Sequence, residues 1–148
     1  MASLFSKKAK APAFMPVDGR GIFLQDSIAL AANPGVGDVI NLVRIPAGTE
    51  VHHVTIQADK VDTNGAPAIV FRAGYAPCDS TSSLAPNSTF FAPAGQTALQ
   101  SGSRISCAFK PLKFEEDVYL TLTVNTAAAT FAAGEVYGLV SGSAIGPK

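Results

Sequence analysis

The strongest constraint in this chain is a strict two-residue alternation over residues 117–125. Val118, Leu120, Leu122 and Val124 alternate there with Tyr119, Thr121, Thr123 and Asn125. Successive side chains of an extended strand point to opposite faces, so this pattern specifies a strand with one face in a core. A helix would scatter the four aliphatic residues around its circumference. The same signature recurs at residues 104–109, where Ile105, Cys107 and Phe109 share a face. It recurs again at residues 135–140, where Val136 and Val140 share parity with Gly138.

Other strands follow from turn chemistry. Residues 21–30 form the first candidate. Residues 32–38 gather Asn, Pro and two glycines and break it. Residues 38–45 are rich in Val and Ile and stop at Pro46-Ala47-Gly48. Residues 50–58 come next, with Val54, Ile56 and Ala58 on one face and Thr55 and Gln57 on the other. Asp62-Thr63-Asn64-Gly65 reads as a hairpin turn returning into residues 68–75, because Asn-Gly tolerates the positive φ such turns need. Residues 76–103 form a long polar stretch in which Thr89-Phe90-Phe91-Ala92 reads as a short strand. Residues 127–133 read as a small-residue loop with Phe131 at its tip, and the tail after Val140 as frayed. With only four Glu and no capping box ahead of an apolar helical run, helix signals are almost absent.

The reading is an all-β chain: an antiparallel β-sandwich, jelly-roll-like, at residues 21–148, preceded by an extended N-terminal arm at residues 1–20. At 148 residues there is enough chain for one real core. The arm carries Lys7, Lys8, Lys10 and Arg20 against Asp18, a net of +3, so the remainder is −3 in a chain whose formal charge is zero. A neutral balance argues against nucleic acid as the main partner, since phosphate binding needs a positive field. Charged residues make up 15%, well under the roughly 25% of an ordinary soluble domain. Two readings of that deficit stand side by side: an exterior partly covered by a partner, or one carried by Ser, Thr, Asn and Gln. No apolar run reaches the length of a membrane-spanning helix, and no signal peptide is expected.

Catalytic patterns do not emerge. His52 and His53 are adjacent in a strand and face opposite ways, so they cannot grip one metal from one side. His52 is expected to be partly buried and His53 exposed. Asp59, Asp62 and Asn64 suggest a calcium loop, but Lys60 and Phe71 occupy the first and last ligand positions of that register. Glu115-Glu116-Asp117 reads as a solvated strand start or a patch for a basic partner. Asn87-Ser88-Thr89 matches a glycosylation sequon, which carries no meaning without secretion. Cys78 and Cys107 make no disulfide framework. No enzyme, metal or cofactor is expected.

Three stretches together carry a resemblance. They are GDVINLVRIPAGTEVHHVTIQADKVD at residues 37–62, VFRAGYAP at 70–77 and DVYLTLTVNTAAATFAAGEVYGLV at 117–140. Their order resembles that of the small head decoration, or cement, proteins of tailed bacteriophages, over about two thirds of the chain (residues 21–75 and 104–141). The resemblance implies a jelly-roll-like sandwich lying as dimers or trimers on the outer capsid surface of a virion, bridging subunits of the major capsid protein, with no active site. For that role the arm supplies Lys7, Lys8 and Lys10 for steering and register. Phe14, Phe90, Phe91 and Phe131 are the candidate apolar anchors, each with the home core as its alternative place. A tail or head–tail joining protein fits the same composition. A carbohydrate-binding β-sandwich is the alternative from another class, and a hydrolase a distant fourth.

Overall fold

The computed structural model describes residues 1–6, 8–10 and 20–146. Ten strands and one short helix follow in order: β1 (Ser3–Phe5), β2 (Gly21–Leu30), β3 (Val39–Ile45), β4 (Thr49–Ala58), β5 (Val70–Pro77), β6 (Asn87–Gln96), α1 (Ala98–Ser101), β7 (Arg104–Ser106), β8 (Leu112–Phe114), β9 (Val118–Thr126) and β10 (Gly134–Ala144). They form two five-stranded sheets packed as a sandwich. One sheet runs β1-β3-β9-β5-β6, and the other runs β2-β10-β4-β7 with β8 also on β4.

The expected all-β sandwich is therefore present. Its ladders are antiparallel except one: β1 pairs in parallel with β3, Ser3 opposite Val39 and Phe5 opposite Asn41. Thus part of the stretch read as an arm is a strand of the home sheet. Its Leu4 packs on the core.

The alternation in β9 does what the pattern requires. Val118, Leu120, Leu122 and Val124 are at most 1% exposed. Each such buried side chain contributes about 1.5–3 kcal/mol. Thr121 and Thr123, on the opposite face, are also buried. β9 is the middle strand of its sheet, and the longer Asn41 and Arg72 sit directly beside these two threonines and shield them.

Two β-bulges break the simple parity. In β3 the register against β9 slips between Asn41 and Val43, so Leu42 is the extra residue and both Leu42 and Val43 turn inward. The space they enter is left by Gly138 on the facing sheet. A Cβ there would lie 2.7 Å from Leu42 Cδ2 and 2.7 Å from Val43 Cγ2. In β4 the extra residue is His52, so that Val51 and Val54, three apart, are both buried. Opposite this bulge the backbones come close: a Cβ on Gly142 would stand 2.0 Å from the Glu50 carbonyl oxygen.

The Asn-Gly turn does not close a hairpin. β4 and β5 belong to different sheets, so residues 59–69 carry the chain from one layer to the other. Neither Asn64 nor Gly65 adopts positive φ. Instead the Asn64 side chain accepts the Ala66 N–H at 2.9 Å, a local turn that serves the crossing without a left-handed residue. The chain end is also more ordered than expected. β10 runs to Ala144, which is fully buried, and the Ile145 N–H donates to the Gly48 carbonyl at 2.9 Å.

Candidate functional site

Of the seven residues singled out for partner contact, Lys7 and Phe14 lie outside the described residues. Lys8 and Lys10 sit in the turn after β1. The Lys8 backbone N–H donates to Asp26 Oδ2 at 2.7 Å, and its Nζ donates to the Gln25 carbonyl at 3.2 Å. Lys10 Nζ stands 5.0 Å from the centre of the Phe5 ring, which meets Tyr119 edge-on at 5.5 Å. Asp26 also accepts a hydrogen bond from the Ser6 hydroxyl. Asp26 belongs to β2, in the other sheet, so this turn ties β1 across the open side of the sandwich.

The phenylalanines separate. Phe91 is 1% exposed and fills the home core. Phe90 is half-buried beside it, in an aromatic cluster with Tyr75 and Phe109 on the β6 side of the sheet, the edge opposite β1. Phe131 is half-buried against the core and bridges to Asp62 at one end of the sandwich. The five described candidates therefore occupy three places rather than one.

Sequence reasoning passed over Phe23, which is 64% exposed on the edge strand β2, and Val36, which is 67% exposed in a loop. Phe23 had a readable signal. Strand parity groups it with Gly21, Gln25 and Ser27, the side facing away from the core.

The ionisable groups are held by structural partners. Asp62 is wholly buried. Burial pushes its carboxyl up, but the N–H groups of Ala68, Ala129, Thr130 and Asn64 outweigh that and hold it well below the usual carboxylate range. The residue considered for calcium is thus saturated by backbone donors. Glu115 pairs with Lys113 at 3.0 Å, and Glu116 accepts from the Ser82 hydroxyl. Asp117 receives the Arg44 guanidinium at 2.7 and 3.0 Å and the Ala47 N–H at 2.8 Å. The acidic run is three separate tethers rather than one patch. His52 is half-buried, with its Nε2 2.8 Å from Glu50 Oε1, and His53 is exposed. Cys78 and Cys107 are both free, and burial pushes each thiol up to about 11.

Among the described residues, no group of three or more His, Cys, Asp or Glu is placed to hold a metal ion, and no helix is long and apolar enough to cross a membrane. One hollow among the described residues, about 600 Å³, is an open depression floored by Tyr75, Leu84, Leu112 and Phe114. The acids at its rim are those already tied to Lys113 and Ser82.

No model of a known protein family matches the chain, and no curated protein matches it. Solved structures do. The chain is similar to one in the capsid asymmetric unit of cyanophage Pam1, with 25% identity and a TM-score of 0.67, over 91% of this chain and 94% of that one. Its fold is also similar to a chain in the capsid of Ralstonia phage GP4, with 21% identity and a TM-score of 0.71, over 99% of this chain and 100% of that one. A third likeness of fold is to a chain in the acid-stable capsid of Helicobacter pylori bacteriophage KHP30, with 18% identity, a TM-score of 0.53 and coverage of 87% and 90%.

Proposed function

We propose that this chain is a structural protein of a phage capsid, and that it decorates and stabilises the shell of a tailed phage by bridging neighbouring major capsid protein subunits from the outer surface. The observation that carries the reading is the nearly end-to-end likeness to a chain of a capsid asymmetric unit, at 25% identity over 91% of the sequence. The physical features agree with it. The carboxylates of Asp26, Asp62 and Asp117 are tied internally, and the chain is low in charge. A part repeated many times over a shell gains its hold through multivalency, so each contact can be modest.

In this reading Lys8 and Lys10 meet acidic capsid surface, and Phe90 and Phe131 offer apolar area at separate ends of the sandwich. Lys7 and Phe14 belong to the same proposed contact set. Phe91 enters it only indirectly, by holding Phe90 in place.

The test is electron microscopy of particles that contain the protein, with the sandwich fitted into the density. The expected result is density for this fold on the outer capsid face, straddling adjacent subunits. Density confined to the tail or the head–tail junction would overturn the decoration role, and absence from particles would overturn the capsid reading as a whole.

A further inference from the structure

We infer that Asn64-Gly65 is a self-modifying site, at which the Asn64 side chain loses ammonia to attack by the Gly65 backbone nitrogen and forms a cyclic imide. Ring closure needs an amide nitrogen that is unshielded, carries a removable proton and reaches the preceding side-chain carbonyl. The chain has asparagines at positions 33, 41, 64, 87 and 125, and only Asn64 precedes glycine. Asn33 precedes proline, which has no N–H to give up. Asn41 and Asn125 lie within strands and precede the bulkier Leu42 and Thr126. Gly65 is exposed, and a Cβ on it would meet nothing within 4 Å. Its N–H has no hydrogen-bond partner among the described residues.

Three sets of polar contacts around this pair each serve a different part of the reaction. Asn64 Oδ1 accepts the Ala66 N–H at 2.9 Å, which folds the carboxamide back over the Gly65 peptide. Attack by the Gly65 nitrogen on Cγ moves negative charge onto Oδ1, where that N–H already sits as a donor. Asn64 Nδ2 donates to Thr130 Oγ1 at 3.0 Å, and Thr130 is exposed. Its hydroxyl therefore stands beside the departing nitrogen and is open to water, from which it can relay a proton. Asp62 holds the turn, accepting the N–H of Asn64 at 3.2 Å and that of Ala68 at 2.8 Å. The reacting groups start from a fixed geometry, which lowers the entropic cost of closing the ring.

The steps balance. The Gly65 N–H gives its proton to water or hydroxide, and the electron pair on nitrogen forms the bond to Asn64 Cγ. The Cγ–Nδ2 bond breaks with its electron pair on Nδ2, which takes up a proton and leaves as ammonia. Water then opens the imide. Cleavage at Cγ restores the main chain with an aspartyl residue at position 64. Cleavage at the main-chain carbonyl carbon leaves the backbone running through the side chain, one atom longer. Either product adds a negative charge to a chain of zero formal charge, within the segment that carries the backbone from one sheet to the other. This chemistry belongs to the isolated chain and does not rest on the capsid reading.

Peptide mapping by mass spectrometry tests it, on the purified full chain held folded in mildly alkaline buffer. Asn87 is the internal reference. It is also exposed, and its Oδ1 also accepts the N–H two residues on, at 3.1 Å, but serine follows it. Amide-to-acid conversion at Asn64 is expected to run at least about tenfold faster than at Asn87. It is also expected to match or exceed the rate at Asn64 in urea. Neither a positive φ nor a neighbouring atom opposes Gly65→Ala. That variant is expected to keep the melting temperature while conversion slows at least about tenfold. An unconverted Asn64, equal conversion at Asn64 and Asn87, conversion indifferent to Gly65→Ala, or conversion slower in the folded chain than in urea would each overturn the inference.

Discussion

One oxygen of Asp62 accepts the backbone N–H of Ala129 at 2.9 Å, joining positions 67 residues apart in the chain. The same oxygen takes Ala68 at 2.8 Å, and the other takes Thr130 at 3.1 Å. One buried carboxylate thus pins the crossing between the two sheets to the loop before β10. Replacing it by Asn puts an N–H2 where an acceptor is needed. Asp62→Asn is expected to fold with a melting temperature roughly 5–10 °C lower, measured by circular dichroism. The pH sign follows from the depressed carboxyl. The stabilisation is fully present above the ordinary Asp value and is lost as pH falls through the lower folded-state value. Acid unfolding that begins at a higher pH in the wild type than in Asp62→Asn would contradict this.

Gly138 is the floor on which Leu42 and Val43 rest. Gly138→Ala forces both side chains to shift and is expected to cost about 1–3 kcal/mol, read as a lower urea midpoint with unchanged slope. An unaffected midpoint would mean that the two layers do not press together at this point.

Phe91 and its neighbour Phe90 are expected to part under truncation. Phe91→Ala removes a side chain that is 1% exposed and should cost about 3–5 kcal/mol. Phe90→Ala, at a half-buried site, should cost clearly less and, under the proposed function, weaken attachment to particles. Equal losses of stability would assign both residues to the core alone.

The thiols of Cys78 and Cys107 are expected to be inert. With each pushed up to about 11 by burial, the reactive thiolate is scarce at pH 8. Labelling with a thiol-specific disulfide reagent should run about a hundredfold slower in the folded protein than in urea. Since the folded-state values are raised, this contribution to stability is present below the ordinary thiol range and is lost as pH climbs toward 11. Rapid labelling of both sites in the native protein would contradict the burial described.

Deleting residues 1–16 is expected to leave the domain folded and to reduce its occupancy on capsids. It also removes β1 from the β3 edge and the Ser6 and Lys8 partners from Asp26, so a lower melting temperature should accompany it. Lys8→Glu with Lys10→Glu separates the two effects, because it reverses the charge while leaving β1 in place. Full occupancy after both changes would defeat the role proposed for this segment.

Much of the fold was legible because burial on one face writes itself into parity. The alternation from Val118 to Val124 became β9, and residues 21–30 became β2 with the same bounds. The failures have physical causes. A bulge inserts a residue without changing composition, so the inward turns of Leu42 and Val51 left no mark. β1 is three residues long and pairs in parallel with a strand more than thirty positions away, beyond the reach of a local pattern. The Asn64-Gly65 turn was read as a hairpin because local chemistry does not reveal which sheet the next strand joins. At the candidate site, the adjacent phenylalanines announced burial but not whose core would receive them. Asp62 was weighed for calcium because a carboxylate saturated by backbone donors looks, in sequence, like one awaiting a cation.

The chain visits the two layers in near alternation: β1 in one, β2 in the other, β3 and β4 again one in each, and β9 and β10 likewise. No contiguous half of the sequence can build a layer by itself. A ribosome must release β9 before one sheet has its middle strand and β10 before β2 and β4 of the other are joined, which favours slow, all-or-none folding. Once closed, the two layers are laced by the covalent backbone at many crossings. Prising them apart under load then means stretching peptide as well as parting side chains.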